Sequence, residues 1–286
     1  MKPPLETASP ASEQTSASAR RKIAAAREKA LQNQGWQGTY ALFIREVKRF
    51  MKIAGQSIVS PVLTTLLYFV VFGFSLGSRL QEIEGIPYID FLVPGLMMLN
   101  LINNAFLNSS FSLFIAKIHG AIVDVLVTPL TPLQIIMAYV GASVVRAVVT
   151  GLIIWLVASL MGAGTVAYPL FTIVFMLLTA IGFALFGIIV AIYSETFDQI
   201  NLLPSFFLMP LTFLGGVFYS ISMLPPFWQA VSLANPILYM INGLRYGMTG
   251  VSDVSPWIGL GILTALVLLC GLHAWHLLHT GKKLRE

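Results

Sequence analysis

Six long apolar stretches constrain this chain more than any other feature of its sequence. They run from Ser57 to Leu76, Ile89 to Leu113, Leu133 to Met161, Pro169 to Tyr193, Ile200 to Tyr219 and Trp257 to Leu278. At a rise of ~1.5 Å per residue, runs of this length cross a hydrocarbon core of roughly 30 Å as helices. With 57% hydrophobic and only 10% charged residues, the chain carries more apolar surface than a water-soluble fold can hide. Because lipid leaves no water for stray backbone groups, the expected fold is an all-α integral membrane protein with six transmembrane helices. Between the fifth and sixth runs, Ser220 to Ser255 is apolar but punctuated by prolines. It reads as short helices or a re-entrant hairpin.

Basic residues set the orientation. Ten lie between Lys2 and Lys52, and Lys117, Lys282, Lys283 and Arg285 fall on the same side of the expected membrane. The other side has Arg79 and Arg245, and Arg146 sits within a span. The positive-inside rule therefore places both termini in the cytoplasm of a multi-pass protein. Residues 1–38 read as a polar cytoplasmic tail, with weak helix potential from Ala19 to Gln32 and no apolar core of signal-peptide length.

Several function classes are disfavoured by what the sequence lacks. The net charge of +5 gathers at the chain ends, which suits an anionic membrane surface and not nucleic acid. The single cysteine, Cys270, permits no disulfide framework. The sequence has no G-x-x-x-x-G-K-[ST], so ATP used in transport would be hydrolysed by another chain. No nucleophile-base or carboxylate pair suggests an intramembrane enzyme. His273, His276 and His279 drift round their helix without a carboxylate or thiolate and fit an interface belt with Trp275, so no metal site is expected. No internal repeat is visible.

Four features could carry function. Thr39 to Ala54 separates Tyr40, Phe43, Ile44, Val47, Phe50, Met51 and Ala54 from Arg45, Lys48, Arg49 and Lys52. This is the pattern of an amphipathic helix in the membrane surface, either a simple anchor or a mechanical element. The loop Ala116 to Pro132 carries Lys117, His119 and Asp124 among Ile122, Val123, Leu126 and Val127, then reaches Thr128, Pro129 and Pro132. It reads as a short cytoplasmic helix that docks on a partner.

Within span two, Pro94-Gly95 precedes Asn100, Asn103, Asn104 and Asn108, which share a face with Ser112. That face either hydrogen-bonds other helices, a second copy included, or lines a polar path. In span three, Arg146 keeps register with Tyr139, Ser143 and Thr150. A central arginine costs at least ~2.5 kcal/mol to insert, so it should face protein or water. Backbone carbonyls, an anionic substrate group and snorkelling to the interface are three ways to satisfy it.

The stretch FLGGVFYSISMLPPFWQAVSLANPILYMINGLRYGMTG, Phe213 to Gly250, is similar to the signature of the bacterial type-2 ABC-exporter permeases. That family includes lipo-oligosaccharide, polysaccharide and drug exporters. FLVPGL at Phe91 to Leu96 and VLVTPLTP at Val125 to Pro132 support the resemblance, which covers essentially everything from residue 39 to 286. The nodulation-factor and drug branches look closer than the large-channel polysaccharide permeases.

The resemblance implies a transmembrane domain over 39–286 that works as two permease copies, expected to be a homodimer, with two separate ATP-binding subunits. It makes Thr39 to Ala54 an interface helix and Lys117 to Thr131 a coupling helix that docks on the ATPase. Gly215, Gly216, Pro225, Pro226, Asn235, Pro236, Asn242, Arg245, Tyr246 and Gly250 fall in the outward-facing gate. Many relatives have a more acidic coupling segment than Asp124 alone supplies. No cofactor is expected on this chain, with ATP and magnesium on the partner. The implied function is export of an amphiphilic, lipid-linked or drug-like substrate across the bacterial plasma (inner) membrane. An ion-coupled transporter or channel is the alternative, disfavoured by the lack of acidic residues within the spans.

Overall fold

The computed structural model describes residues 35–53, 55–76, 82–128 and 130–281. The expected tail before residue 35, together with Ala54, Arg79, Pro129, Lys282, Lys283, Arg285 and the side chain of Leu126, lies outside the described residues.

The first helix, α1, covers residues 35–52 and so begins ahead of the expected boundary at Thr39. Residues 55–76 form α2, α-helical over Ser60–Tyr68 and π-helical over Gly55–Val59 and Phe69–Leu76. A two-residue hairpin follows, with β1 (Glu82–Ile83) antiparallel to β2 (Ile86–Pro87). Then come α3 (Tyr88–Ile118), α4 (Ala121–Val127), α5 (Pro132–Leu160) and α6 (Pro169–Tyr193). The next helix, α7, spans residues 197–214, with a π-turn at Pro204–Leu208 between Phe197–Leu203 and Met209–Leu214. A 3-10 turn at Ile221–Met223 leads to α8 (Pro226–Leu233), α9 (Pro236–Thr249) and α10 (Pro256–Thr280).

Among the described residues, α3, α5, α6 and α10 are long and apolar enough to cross a membrane. The other two expected spans, α2 and α7, are interrupted by π-helix. At Pro204 the cause is local: proline has no N–H to give the preceding turn and its ring pushes the facing carbonyl away, so the turn widens. The proline-punctuated stretch after α7 forms short helices, each starting at a proline that needs no donor there.

Helix α3 forms the centre of the bundle and is almost wholly buried, packing along α5, α6 and α9. In lipid the hydrophobic effect gives helices no reason to associate, so close backbone approach must do it. The α3–α6 crossing shows this at Gly187. A Cβ there would overlap Ser109 Oγ and lie 2.6 Å from the Phe106 carbonyl oxygen.

The chain reverses direction at each turn between long helices, so the bundle has two distinct ends. At one, Lys117 Nζ near the end of α3 donates to the carbonyls of Ile192 (2.8 Å) and Ser194 (3.1 Å) at the end of α6. At the other, the Gly164 amide donates to Asp90 Oδ1 (2.9 Å) and Tyr88 Oη to the Phe218 carbonyl (3.1 Å). The α1 and α4 helices lie at the first end, and the β-hairpin, α8 and α9 at the second.

Candidate functional site

At the first end, the segment expected to be one coupling helix is divided. Gly120 adopts φ 71 and stops α3, and α4 begins at Ala121. Lys117 therefore belongs to α3 and not to α4, and it binds the end of α6; a lysine at the last carbonyls of a helix is also favoured electrostatically. His119 is the residue that closes α3. On α4, Ile122 is buried, while Val123, Asp124 and Val127 are exposed. Thr128 closes α4, its hydroxyl donating to the Val125 carbonyl (2.5 Å). A cleft of about 400 Å³ separates α4 from α1, with Asp124 and Val125 on one side and Arg45 and Leu42 on the other.

Helix α1 presents a different face from the one its pattern suggests. Thr39, Leu42, Glu46 and Phe50 are buried at helical spacing, whereas Tyr40 and Met51 are exposed. Gly38 packs on Leu130 and Phe43 on Gly141, which fixes α1 against the start of α5. Lys48, Lys52 and Arg45 are exposed, although Arg45 reaches Tyr139 with its guanidinium tip, while Arg49 is half-buried and turns to Asn108.

These arginines join a polar cluster that the sequence showed only in part. Glu46, 3% exposed, accepts from Arg45 Nη2 (3.2 Å), from Arg49 Nε (3.0 Å) and from the Ser112 hydroxyl. Arg45 Nη2 also donates to Tyr139 Oη (3.3 Å). Asn108 Nδ2 donates to Ser143 Oγ (2.9 Å), while its Oδ1 accepts from Arg49 Nη2 (3.1 Å) and Arg146 Nη1 (3.3 Å). Arg146 Nε reaches Asn104 Oδ1 (3.1 Å). Thus Arg146 donates to amide side chains and not to backbone carbonyls. Asn100 donates through Nδ2 to Thr65 Oγ1 (2.7 Å) on α2. Asn103 bonds back to the Leu99 carbonyl within its own helix.

At the second end, most residues of the signature stretch cap helices or close turns. Gly215 ends α7, and Gly216 has φ 82, a conformation that side chains resist. Pro225 and Pro226 start α8. Asn235 caps α9, accepting from the Ile237 amide (3.0 Å) and donating to the Leu211 carbonyl (2.6 Å), and Pro236 follows as the first helical residue. Asn242 Oδ1 accepts from the Asp253 amide (2.8 Å). Tyr246 stacks on Tyr168 with ring centroids 5.1 Å apart.

Arg245 is fully buried, its Nη2 donating to the Gly216 carbonyl (2.6 Å) and its Nη1 3.6 Å from Asp253 Oδ2. Next to it, Ser220 Oγ contacts Glu84 Oε1 (2.6 Å), Ser222 Oγ (2.9 Å) and Asp253 Oδ1. One hydroxyl carries one proton and cannot satisfy two ionised carboxylates, so the cluster favours keeping a proton on a carboxyl group. Consistently, burial and the hydrogen bond with Asp253 push the Glu84 carboxyl above its usual range. Glu84 is the only described non-glycine residue at positive φ (54°), followed by Gly85 at 79°. This pair makes the tight turn of the hairpin.

A bundle of apolar helices, a short half-exposed helix beside a basic one at one end, and a proline-started helical pair at the other are the architecture of a multi-pass membrane protein. The chain belongs to the ABC-2 type transporter family, whose model matches residues 37–249. It is 40% identical over 251 residues to the inner membrane transport permease YadH of Escherichia coli (strain K12), covering 88% of this chain and 98% of that one. It is also 28% identical over 211 residues to nodulation protein J of Sinorhizobium fredii (strain NBRC 101917 / NGR234), covering 73% and 80% respectively. Nodulation protein J of Rhizobium leguminosarum bv. viciae is 22% identical over 231 residues, covering 80% and 89%. The chain is therefore an ABC transporter membrane component of multi-pass type.

Proposed function

We propose that this chain is the permease subunit of an ATP-binding-cassette exporter, moving an amphiphilic, lipid-linked or drug-like substrate outward with ATP and magnesium bound by a separate ATPase. The observation that carries this reading is the exposed face of α4, with Val123, Asp124 and Val127 beside the cleft against α1. Apolar side chains projecting next to one acid at the end of a membrane bundle fit a protein partner. In this reading α1 is the interface helix, α4 the coupling helix, and two copies of the chain, as a homodimer, meet two copies of the ATPase.

The topology in this reading has six spans, with α2 and α7 completing the four uninterrupted ones. Both termini face the cytoplasm, α8 and α9 form a re-entrant hairpin at the outer side, and the membrane is the bacterial plasma (inner) membrane, as the name of the Escherichia coli relative supports for that protein. ATP-driven approach of the ATPase subunits would press on α4, and the rigid α3 would carry the displacement to the outer cluster. An ion-coupled transporter would need a carboxylate free to bind a cation. Among the described residues Glu46 is a buried carboxylate within the bundle, and Arg45 and Arg49 neutralise it.

The test is purification of the chain with a candidate ATPase under mild detergent, followed by export assays of Asp124→Lys and Gly216→Leu. Both variants should insert normally and export poorly. Failure of any ATPase to co-purify, or normal export by both variants, removes the exporter reading.

A further inference from the structure

The polar cluster at the α1 end has more positive charge than it can balance. Among the described residues Glu46 is the one carboxylate that pairs with it, and that carboxylate is already held by Arg45, Arg49 and Ser112. Arg146 meets only the amide oxygens of Asn104 and Asn108, and its Nη2 has no hydrogen-bond partner among the described residues. Arg49 and Arg146 converge on the same acceptor, Asn108 Oδ1, at 3.1 and 3.3 Å. Two like charges in a partly buried place repel one another unless an anion joins them.

Both arginines line one cavity of about 610 Å³ between α1, α2, α3, α5 and α7. Its wall changes character along its length. Arg49, Arg146, Asn103 and Asn104 supply the polar part, and residues such as Tyr68 and Phe111 supply the apolar part. The volume falls within the ~300–1,000 Å³ typical of ligand pockets. Guanidinium forks match the oxygens of phosphate and carboxylate groups, each through paired N–H donors.

Resting on the exporter reading above, we infer that Arg49 and Arg146 form a head-group site for an anionic amphiphile, with the charged group between the two guanidiniums and the apolar chain along the wall of the cavity. Glu46 and Ser112 act as positioning residues: they hold Arg49 so that its second face remains turned to the cavity. Asn104 and Asn108 do the same for Arg146. The acidic head, not the tail, is what this site selects.

The test uses the full chain in nanodiscs of zwitterionic lipid and measures binding of dodecyl phosphate, dodecylphosphocholine and inorganic phosphate. Dodecyl phosphate should bind about tenfold or more tightly than either comparator, the scale of one charge-assisted hydrogen bond in a site of this kind. Arg146→Gln should lose about that factor, and Arg146→Lys should recover part of it, with all variants monodisperse. Equal binding of the anionic and zwitterionic heads, or an unaffected Arg146→Gln, overturns the site. Inorganic phosphate binding as tightly as dodecyl phosphate overturns the role of the apolar wall. If the ATPase partner is added and dodecyl phosphate binds without altering ATP hydrolysis, the ligand is a resident lipid and the assignment as substrate site fails. Because binding is read on the chain alone, loss of the exporter reading through failed ATPase co-purification is a separate result.

Discussion

The guanidinium carbon of Arg245 lies 3.6 Å from the centroid of the Phe91 ring, so the first turn of α3 and the last turns of α9 are joined by a cation stacked on an aromatic face. The same side chain holds Gly216 and faces Asp253. A single buried charge thereby ties together α3, the turn after α7 and the loop after α9.

Arg245→Ala should destabilise the protein strongly, since it leaves the buried Asp253 without its cation, a loss of about 3 to 5 kcal/mol for a pair of this type. Arg245→Lys should recover little, because an ammonium can neither stack flat on Phe91 nor present the same fork to Gly216. Thermal unfolding in detergent, followed by loss of monodisperse protein, checks both. A Lys variant as stable as the parent would show that charge alone matters there.

The Glu84 carboxyl gives a pH dependence of definite sign. Its pKa is raised in the folded protein, so its contribution to stability is complete below the ordinary carboxyl value of 4.5 and is lost as pH rises through the higher folded value. Unfolding temperature measured across that window should fall with rising pH for the parent and less for Glu84→Gln, which keeps a neutral hydrogen-bonding side chain. Glu84→Asn offers a second arm. Asparagine suits the turn backbone better but is too short to reach Ser220, so it should weaken the cluster in spite of easing the turn. A stabilised Asn variant would mean that the turn outweighs the carboxyl contact.

Gly187 sets the spacing of the central helix pair. Gly187→Leu should prevent α3 and α6 from closing, because the new side chain would start in overlap with Ser109. Size-exclusion profiles of a fluorescent fusion would show aggregated or absent protein. A monodisperse peak at parental yield would refute the close approach. Gly261, where an added Cβ meets nothing within 4 Å, is the matching control, and Gly261→Ala should be tolerated.

Much of the architecture was legible because lipid is an unforgiving solvent. The runs that became α3, α5, α6 and α10 had to be helical, and their ends fell within a few residues of Tyr88–Ile118, Pro132–Leu160, Pro169–Tyr193 and Pro256–Thr280. The outer signature was legible as a family pattern, but the reason for its residues was not: Asn235 and Gly216 act on backbone groups, which sequence does not display. Sorting α1 into apolar and basic faces hid Glu46, whose spacing from Thr39, Leu42 and Phe50 places it on the buried face. Its being the sole acid in a basic run was the available signal. Lys117 falls on α3 and not on the short helix after it, since α3 outlasts its apolar run and carries the lysine past the expected span end. Asp253 and Glu84 lie in loops far apart in sequence, and only the fold brings both to Ser220.

The π-turn at Pro204–Leu208 has a consequence for the inheritance of this chain as well as for its shape. One surplus residue puts the two halves of α7 out of phase by roughly 100° relative to an unbroken helix. Ile200 in the first half and Thr212 in the second are both buried under that offset. Loss of one codon between those positions would leave a sound apolar helix of adequate composition, yet one that turns its far half away from its neighbours. For this segment, residue number should be guarded more strictly than residue identity, so exchanges among similar apolar side chains should be far better tolerated than the deletion of a single residue.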